Sequence, residues 1–464
     1  MAPPIMIMGC TSDAGKSFLV TALCRHLVNR GLSVAPFKAQ NMSNQAAVTS
    51  KGLEIGRAQY LQALAARTTP QARMNPVLLK PTADTASQVI VMGRVNTSVS
   101  QLPWMERKRT LWPIVRNALH SLLREYDQVI IEGAGSPAEI NLRAGDIVNM
   151  TVALECRADV YLAADIDRGG AFAHLLGTWT CLGQAERQLI KGFILNKFRG
   201  DQALLGNAMD WLQEQTGVPT VAIIPLISHS LPEEDTLHYR SEFRAEQINI
   251  ALLVYPYASN LDEFDPLIHE PGVNIVPIRD FTHLDVYHAI LLPGSKHTAA
   301  SLQHLRQTGL AGEISRAAQR GIIVLGVCGG LQLLGHEIRD PYHVESGDCQ
   351  GLGLLDLHTT LGLEKTTRQR TALWNGIPVH GYEIHHGHTE AGPAVKAHLA
   401  ESLGWTRGNV YGVYLHGLFE NTAYRQQFLQ QLGWTGTISQ DWSVRVDTEI
   451  ERIARLIPES GWRI

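Results

Sequence analysis

The 464 residues are 45% hydrophobic and 18% charged, with a formal net charge of −4. This describes an ordinary globular chain long enough for roughly two to four domains, and it offers nucleic acid no electrostatic footprint. No apolar run reaches the roughly 18 residues that a membrane span needs, and the first residues lack the basic region of a signal peptide. Six cysteines (10, 24, 156, 181, 328 and 349) contain no CxxC pair, against a zinc site and a secreted disulfide framework, so the expected compartment is the reducing cytoplasm.

Ile5-Met-Ile-Met8 reads as a short buried strand. It runs into Gly9-Cys-Thr-Ser-Asp-Ala-Gly-Lys-Ser17, and Phe18 to Asn29 then carries apolar residues at helical spacing. Strand, glycine loop and helix form a phosphate cradle: loop N–H groups and the helix dipole bind anionic phosphate, and Lys16 adds a point charge. The Ser17 hydroxyl can ligate Mg²⁺. Cys10 stands where the ordinary GxxxxGK[ST] pattern has its first glycine, and Gly9 lies one residue earlier. That spacing resembles the variant loop of dethiobiotin synthetase-like ATPases. Gly9, Asp13, Gly15, Lys16 and Ser17 are therefore the expected nucleotide contacts.

A second strand, Ser33–Phe37, delivers Lys38-Ala-Gln-Asn-Met-Ser-Asn44, a loop dense in amides with one hydroxyl and one cation. Loops at the carboxyl ends of parallel strands are where such folds bind ligands. Glu54–Ala65 continues as an expected helix with Glu54, Arg57 and Gln62 on its polar face, Glu54 being a further metal candidate. Gln128–Ile131 is a strand ending on Glu132, placed to hold Mg²⁺ as a Walker-B acid does; a buried capping glutamate is the alternative. Asp159–Ala164 leads into Asp165-Ile-Asp-Arg-Gly-Gly170. Lys191–Asn196 ends on Asn196, which fits either an adenine edge or a turn. Alternating strands and helices predict a mostly parallel α/β sheet.

From Ser228 to Gln247 the sequence turns polar and charged, the best linker in the chain. The expected organisation is an ATP-using domain over residues 1–230, a linker over 231–247, a second α/β domain over 248–440 and an extension over 441–464. The second series of strands begins at Ile248–Val254, Val273–Pro277 and Ala289–Leu292.

Ile322–Val327 is a buried strand that stops at Cys328, inside Gly326-Val-Cys-Gly-Gly330. This is the cysteine version of a nucleophile elbow: glycines permit the tight turn, and N–H groups at the next helix start can hold an oxyanion. Gly329 and Gly330, with Gly294 and Ser295 from Leu292-Pro-Gly-Ser-Lys-His297, are the expected donors. Val410–Leu415 ends on His416, the order expected of a thiol nucleophile and its base. His380-Gly-Tyr-Glu-Ile-His-His-Gly-His388 holds four histidines. Strand alternation would put His380, Tyr382, Ile384 and His386 on one face and Glu383 and His385 on the other. A zinc site and a polar rim of the thiol site are the two readings.

Cys-His chemistry on a primary amide releases ammonia through a thioester, and ATP chemistry on a carboxylate makes an acyl phosphate that ammonia attacks. Joined in one chain, the two read as a glutamine-dependent amide ligase. GCTSDAGKS, FKAQNMSNQA, EIGRAQ, EGAGSPAEINL, DIDRGGAFA, NKFRGD, ISHSLPEEDT, LPGSKHT, GVCGGLQLLG, GYEIHHGHT and YLHGLFE together resemble the cobyric acid synthase family over essentially the full length. The resemblance implies a dethiobiotin synthetase-like domain followed by a class I-like glutaminase domain. It also implies ATP- and glutamine-dependent amidation of the b, d, e and g carboxylates of adenosylcobyrinic acid a,c-diamide. By motif match Cys328 is the nucleophile, His416 the base and Glu132 the metal-binding acid. Lys38, Gln40, Asn41, Ser43 and Asn44 are the expected corrinoid contacts. Leu418 stands where better-known class I glutaminases orient the histidine with a Glu, which leaves Glu420 and Glu383 as candidate third members. The rivals are the sister enzyme that amidates the a and c carboxylates and a partitioning-type ATPase switch.

Overall fold

The computed structural model describes residues 2–83, 86–231, 242–345 and 347–463. A six-stranded parallel sheet forms the first half, in the order Thr220–Pro225, Ile190–Phe198, Asp159–Asp165, Ile5–Gly9, Gln128–Glu132 and Val34–Phe37. Ile5–Gly9 is buried along its whole length, as an apolar strand covered on both faces must be. Its carboxyl end, with those of Gln128–Glu132 and Val34–Phe37, brings the phosphate loop, Glu132 and Lys38 to one rim. The helix after the loop spans Lys16–Asn29, as its spacing predicts.

The helix expected from Glu54 begins at Arg57 instead. Glu54–Gly56 pairs antiparallel with Ala46–Val48, because the intervening Thr49–Leu53 turn closes a small hairpin. Local pairing there overrides the helical spacing. A further four-stranded sheet stands above the rim: Gln40–Met42, Val77–Ala83, Ala86–Val91 and Arg94–Val95.

The second half is a seven-stranded sheet in the order Val273–Ile278, Ile248–Leu253, Ala289–Leu292, Ile323–Val327, Val410–Val413, Gly404–Arg407 and Lys396–Leu399. Its first five strands are parallel, and the last two are added through antiparallel pairings. Val327 pairs with Val413, so the residues following these strands emerge side by side. A long hairpin, Leu357–Trp374 with Ile377–Ala391, reaches from this half to the first: the Gln369 amide donates to the Val48 carbonyl at 2.9 Å.

The residues after 441 are an extension by sequence, yet helix Trp442–Ala454 packs back on Lys16–Asn29. Trp442, Val446, Ile450 and Ile453 share one buried cluster with Leu19, Leu23 and Leu27. The fully buried Arg25 seals that seam, reaching Asp447 at 2.6 Å and Glu451 at 2.7 Å. Most of the expected linker, residues 232–241, lies outside the described residues, as does the matching part of the ISHSLPEEDT motif.

Candidate active sites

Two sites take shape, one at the strand ends of each large sheet. At the first, Gly9 and Gly15 are needed for space. A Cβ on Gly9 would meet the Thr11 carbonyl oxygen at 2.7 Å, and one on Gly15, at φ +89°, would meet Asn196 Nδ2 at 2.0 Å. Asn196 donates its amide to the Ala14 carbonyl at 2.8 Å, so the loop's shape accounts for it without an adenine contact. Asp13 bonds Arg168 at 3.0 Å, and Lys197 reaches both the Asp13 carbonyl at 2.8 Å and Asp165 at 3.0 Å. Lys16 and Ser17 open onto a cavity of about 670 Å³ that Glu132, Asp165, Asn196 and Lys197 also line.

Glu132 is fully buried. Ser17 Oγ donates to its Oε1 at 2.8 Å, Lys38 lies 2.8 Å from the same oxygen, and the Gln62 amide donates to Oε2 at 2.5 Å. Burial alone would raise this carboxyl; the Lys38 ammonium and the hydrogen bonds from Gln62 and Ser17 outweigh it and hold the pKa low. A hydroxyl beside an ionised carboxylate is a hard-oxygen pair. It fits Mg²⁺, which binds through one or two carboxylates and completes its shell with water and phosphate oxygens.

The other metal candidate, Glu54, does not fit. Its buried carboxylate is neutralised by Lys80 and by Lys365 at 2.6 Å, which leaves no reason for it to hold a cation. Four histidines in the 380–388 run also fail to converge. His380 meets Thr371, His385 meets Glu383, and His386 meets the Gly362 carbonyl; no group of three or more metal-ligating side chains occurs among the described residues.

Of the five expected corrinoid contacts, Lys38 and Asn41 line the cavity, and Lys38 is engaged by Glu132. Gln40 lies on the strand paired with Val77, and the Ser43 hydroxyl accepts from the Gln45 amide nitrogen at 3.0 Å. The Asn44 Oδ1 atom is buried without a hydrogen bond. Beyond Asn44 the same loop turns to the second half. Gln45 Oε1 accepts from Leu261 N at 3.0 Å, and Ala46 N donates to Asn260 Oδ1 at 3.2 Å. This loop therefore carries a joint as well as a cavity wall.

At the second site, Cys328 adopts φ +53°, ψ −106°, a strained conformation for a residue with a Cβ, worth on the order of 1–3 kcal/mol. Close packing holds it there. A Cβ on Gly326 would meet the Gly330 carbonyl carbon at 2.5 Å, one on Gly329 would meet Ser295 N at 2.5 Å, and one on Gly330 would meet the Leu292 oxygen at 2.1 Å. Each glycine of the elbow thus admits a neighbouring backbone, and Gly294, Ser295, Gly329 and Gly330 come together as expected. The Cys328 sulfur lies 3.6 Å from the Ile384 carbonyl oxygen.

His416 is buried, and its ring stacks on Tyr382 with centroids 5.2 Å apart. Glu263 faces its Nδ1 at 3.1 Å. Neither Glu420 nor Glu383 fills this position, since Glu420 binds Arg57 at 2.9 Å and Glu383 binds Arg368 at 2.6 Å. Glu263 comes from the single-turn helix Leu261–Phe264, entered through Asn260 at φ +55°. Its only sequence signal is the Asn-Leu-Asp-Glu-Phe run in the loop region that follows the first strand of the second sheet. Burial raises the Glu263 pKa even against the nearby imidazole. Burial would lower His416, but the Glu263 carboxylate and the Cys328 thiol beside it push it up to about 10.

Acid, imidazole and thiol on a glycine elbow have the arrangement of a thiol-dependent hydrolase site, and the phosphate-type loop of the other half has that of a nucleotide site. Family comparison divides the chain the same way. Residues 5–236 match the CobQ/CobB/MinD/ParA nucleotide binding domain, and residues 249–424 match the CobB/CobQ-like glutamine amidotransferase domain. A cobyric acid synthase from Deinococcus radiodurans is 55% identical over 442 residues, covering 92% of each chain. Another from Polaromonas sp. strain JS666 is 50% identical over 468 residues, again covering 92% of each. The chain belongs to the cobyric acid synthase family. A partitioning-type switch is set aside by the amidotransferase domain, which such a switch has no need of.

Proposed function

We propose that this chain takes ammonia from glutamine at Cys328 and uses it, with ATP, to amidate the b, d, e and g carboxylates of adenosylcobyrinic acid a,c-diamide, giving adenosylcobyric acid. It is a glutamine-dependent, amide-forming ligase of cobalamin biosynthesis. One observation carries the mechanism: the Glu263–His416 pair beside Cys328 on a strained elbow.

With His416 holding the proton, the Cys328 thiolate attacks the glutamine side-chain carbonyl, and backbone N–H groups of Gly329, Gly330 and the Gly294–Ser295 turn would hold the oxyanion. The C–N bond breaks, His416 protonates the leaving nitrogen, and ammonia departs from a thioester. Water then hydrolyses the thioester, returning glutamate and the thiol. Glu263 keeps the imidazole oriented and stabilises its charge, as the acid of a catalytic triad does.

At the other site Lys16 and the loop N–H groups bind the ATP phosphates. Ser17 and Glu132 would hold Mg²⁺, whose charge neutralises phosphate oxygens during transfer. A corrinoid carboxylate takes the γ-phosphoryl group to give an acyl phosphate and ADP. Ammonia attacks the acyl carbon, the C–O bond to phosphate breaks, and the amide remains while the departing phosphate carries off the nitrogen's extra proton. Lys38 and Asn41 are the corrinoid-side candidates that also line the cavity. All six cysteines are free thiols, in keeping with a reducing cytoplasm.

Incubation with ATP, glutamine and each corrinoid, followed by a count of carboxyl-to-amide changes by mass spectrometry, tests this reading. Conversion of the a,c-diamide to the fully amidated product is expected. Turnover confined to cobyrinic acid would assign the chain to the sister reaction.

A further inference from the structure

The cavity at Lys16 and Lys38 measures about 670 Å³, within the roughly 300–1,000 Å³ that a single ligand fills. Bound ATP takes up most of that space, so a corrin ring, several times broader than a nucleobase, has to rest outside on the rim. What the chain offers there is apolar. It leaves the cavity wall at Ala134 and Gly135; Ile140, five residues on, is 70% exposed, and Leu142 is 44% exposed. Five extended residues reach at most roughly 18 Å, so Ile140 stands no further than that from Gly135.

Both ends of this loop are held. Asn149 accepts from Ala134 N at 3.1 Å and donates to the Ala134 carbonyl at 2.7 Å, which fixes the loop where it leaves the cavity. At the far end, the turn Arg143–Gly145 rests on the start of helix Trp104–Glu125. A Cβ on Gly145 would lie 3.5 Å from Met105 Sδ and 3.5 Å from Trp104 Nε1, and Lys108 donates to the Ala144 carbonyl at 3.2 Å. Trp104 and Met105, themselves exposed, therefore stand beside the turn that follows Leu142. Buried Arg107, bonded to Ser87 and to the Ser100 and Leu102 carbonyls, lies 5.9 Å from the Trp104 ring and steadies it. Single exposed hydrophobic side chains are ordinary, whereas four gathered at one turn mark a surface that something covers.

We propose that Trp104, Met105, Ile140 and Leu142 form the seat of the corrin ring, and that one seat serves all four carboxylates because its grip is apolar. This seat presupposes the reading of the chain as the a,c-diamide amidating enzyme given above. A single ATP site has to receive the b, d, e and g carboxylates in turn, so the ring must lie in a different orientation for each. Hydrogen bonds to the ring's edge would favour one orientation over the others. Hydrophobic contact depends on the area covered and not on direction, and an unbranched Met side chain repacks to follow a changed outline. Met42, also exposed, lines the cavity itself and extends the apolar surface to its mouth.

Two variants of the full chain test the seat, one on the loop carrying both Ile140→Ser and Leu142→Ser, and one on the helix carrying Trp104→Ala. Binding of the a,c-diamide without ATP is read by equilibrium dialysis, using the corrinoid's own absorbance. Rates of the four conversions are read at varied corrinoid concentration with ammonium chloride as the nitrogen source. In both variants the dissociation constant and the corrinoid KM should rise about tenfold with the saturating rate kept, as expected for lost uniform binding. Below saturation all four conversions should slow by the same factor. Glutamate release and the rise in melting temperature on adding MgATP should match the unaltered protein, which also shows that the variants fold. Unchanged corrinoid affinity in both variants overturns the seat. Slowing of only one or two of the four conversions overturns the shared grip. A dimer lost in the variants with corrinoid affinity unchanged makes the patch a contact between copies, and overturns the seat as well. Failure of the underlying reading looks different: the unaltered protein would neither bind nor convert the a,c-diamide.

Discussion

His416 stands between a buried acid and a thiol, and its charge state follows from both. Since its folded pKa, about 10, lies above an unfolded value of about 6.5, the pair's contribution to stability is full below about pH 6.5 and fades as the pH climbs toward 10. Glu263→Gln removes the largest opposing charge. The melting temperature of this variant, followed from pH 6 to pH 10, should therefore vary less with pH than that of the unaltered protein. The same substitution is expected to lower glutaminase kcat by about 10²–10⁴-fold while leaving ammonium-supported amidation intact. Cys328, His416 and Lys16 were legible in the sequence because their backbone settings are local: a strand end, a glycine turn, a helix start. Glu263 was not, because only the packing of a one-turn helix against a distant strand end brings it to His416. Glu420 is nearer in sequence but turns to Arg57.

Helix Arg57–Ala65 touches both sites. Gln62 holds Glu132, while Arg57, at the opposite end, binds Asp262 at 2.7 Å and Glu420 at 2.9 Å. Asp262 precedes Glu263, the proposed acid partner of His416, and Glu420 follows His416 by one turn, so Arg57 ties together the loops that carry them. Arg57→Ala should lower the glutaminase rate by up to about 10²-fold, the scale of a small misplacement of catalytic groups, with ammonium-supported turnover retained. Equal loss with both nitrogen sources would argue that this helix serves only the ATP site. The alternation of strands and helices was readable except at Thr220–Pro225 in the first sheet and at Lys396–Leu399 and Gly404–Arg407 in the second. Glu54 was misplaced because the run from Glu54 to Ala65 carries helical spacing, and its first three residues are drawn into a hairpin by Ala46–Val48, a partner that spacing does not reveal.

For the whole molecule, the C-terminal residues matter more than their position suggests. Helix Trp442–Ala454 buries four large side chains against Lys16–Asn29, and at about 1.5–3 kcal/mol each this approaches the entire stability of a typical domain. Removing the chain from residue 441 onward should therefore leave the nucleotide-binding half unfolded or aggregated, as read by its thermal transition, even though no site residue is deleted. Nothing local in the sequence announced that the chain returns to its first helix. The proposed reaction separates a nitrogen-releasing thiol from an ATP site that uses the nitrogen. Cys328→Ala, supplied with ATP, Mg²⁺ and the a,c-diamide, tests this most directly by the number of carboxylates converted with either glutamine or ammonium chloride. Full conversion with ammonium and none with glutamine is predicted; glutamine-supported conversion by this variant would contradict it.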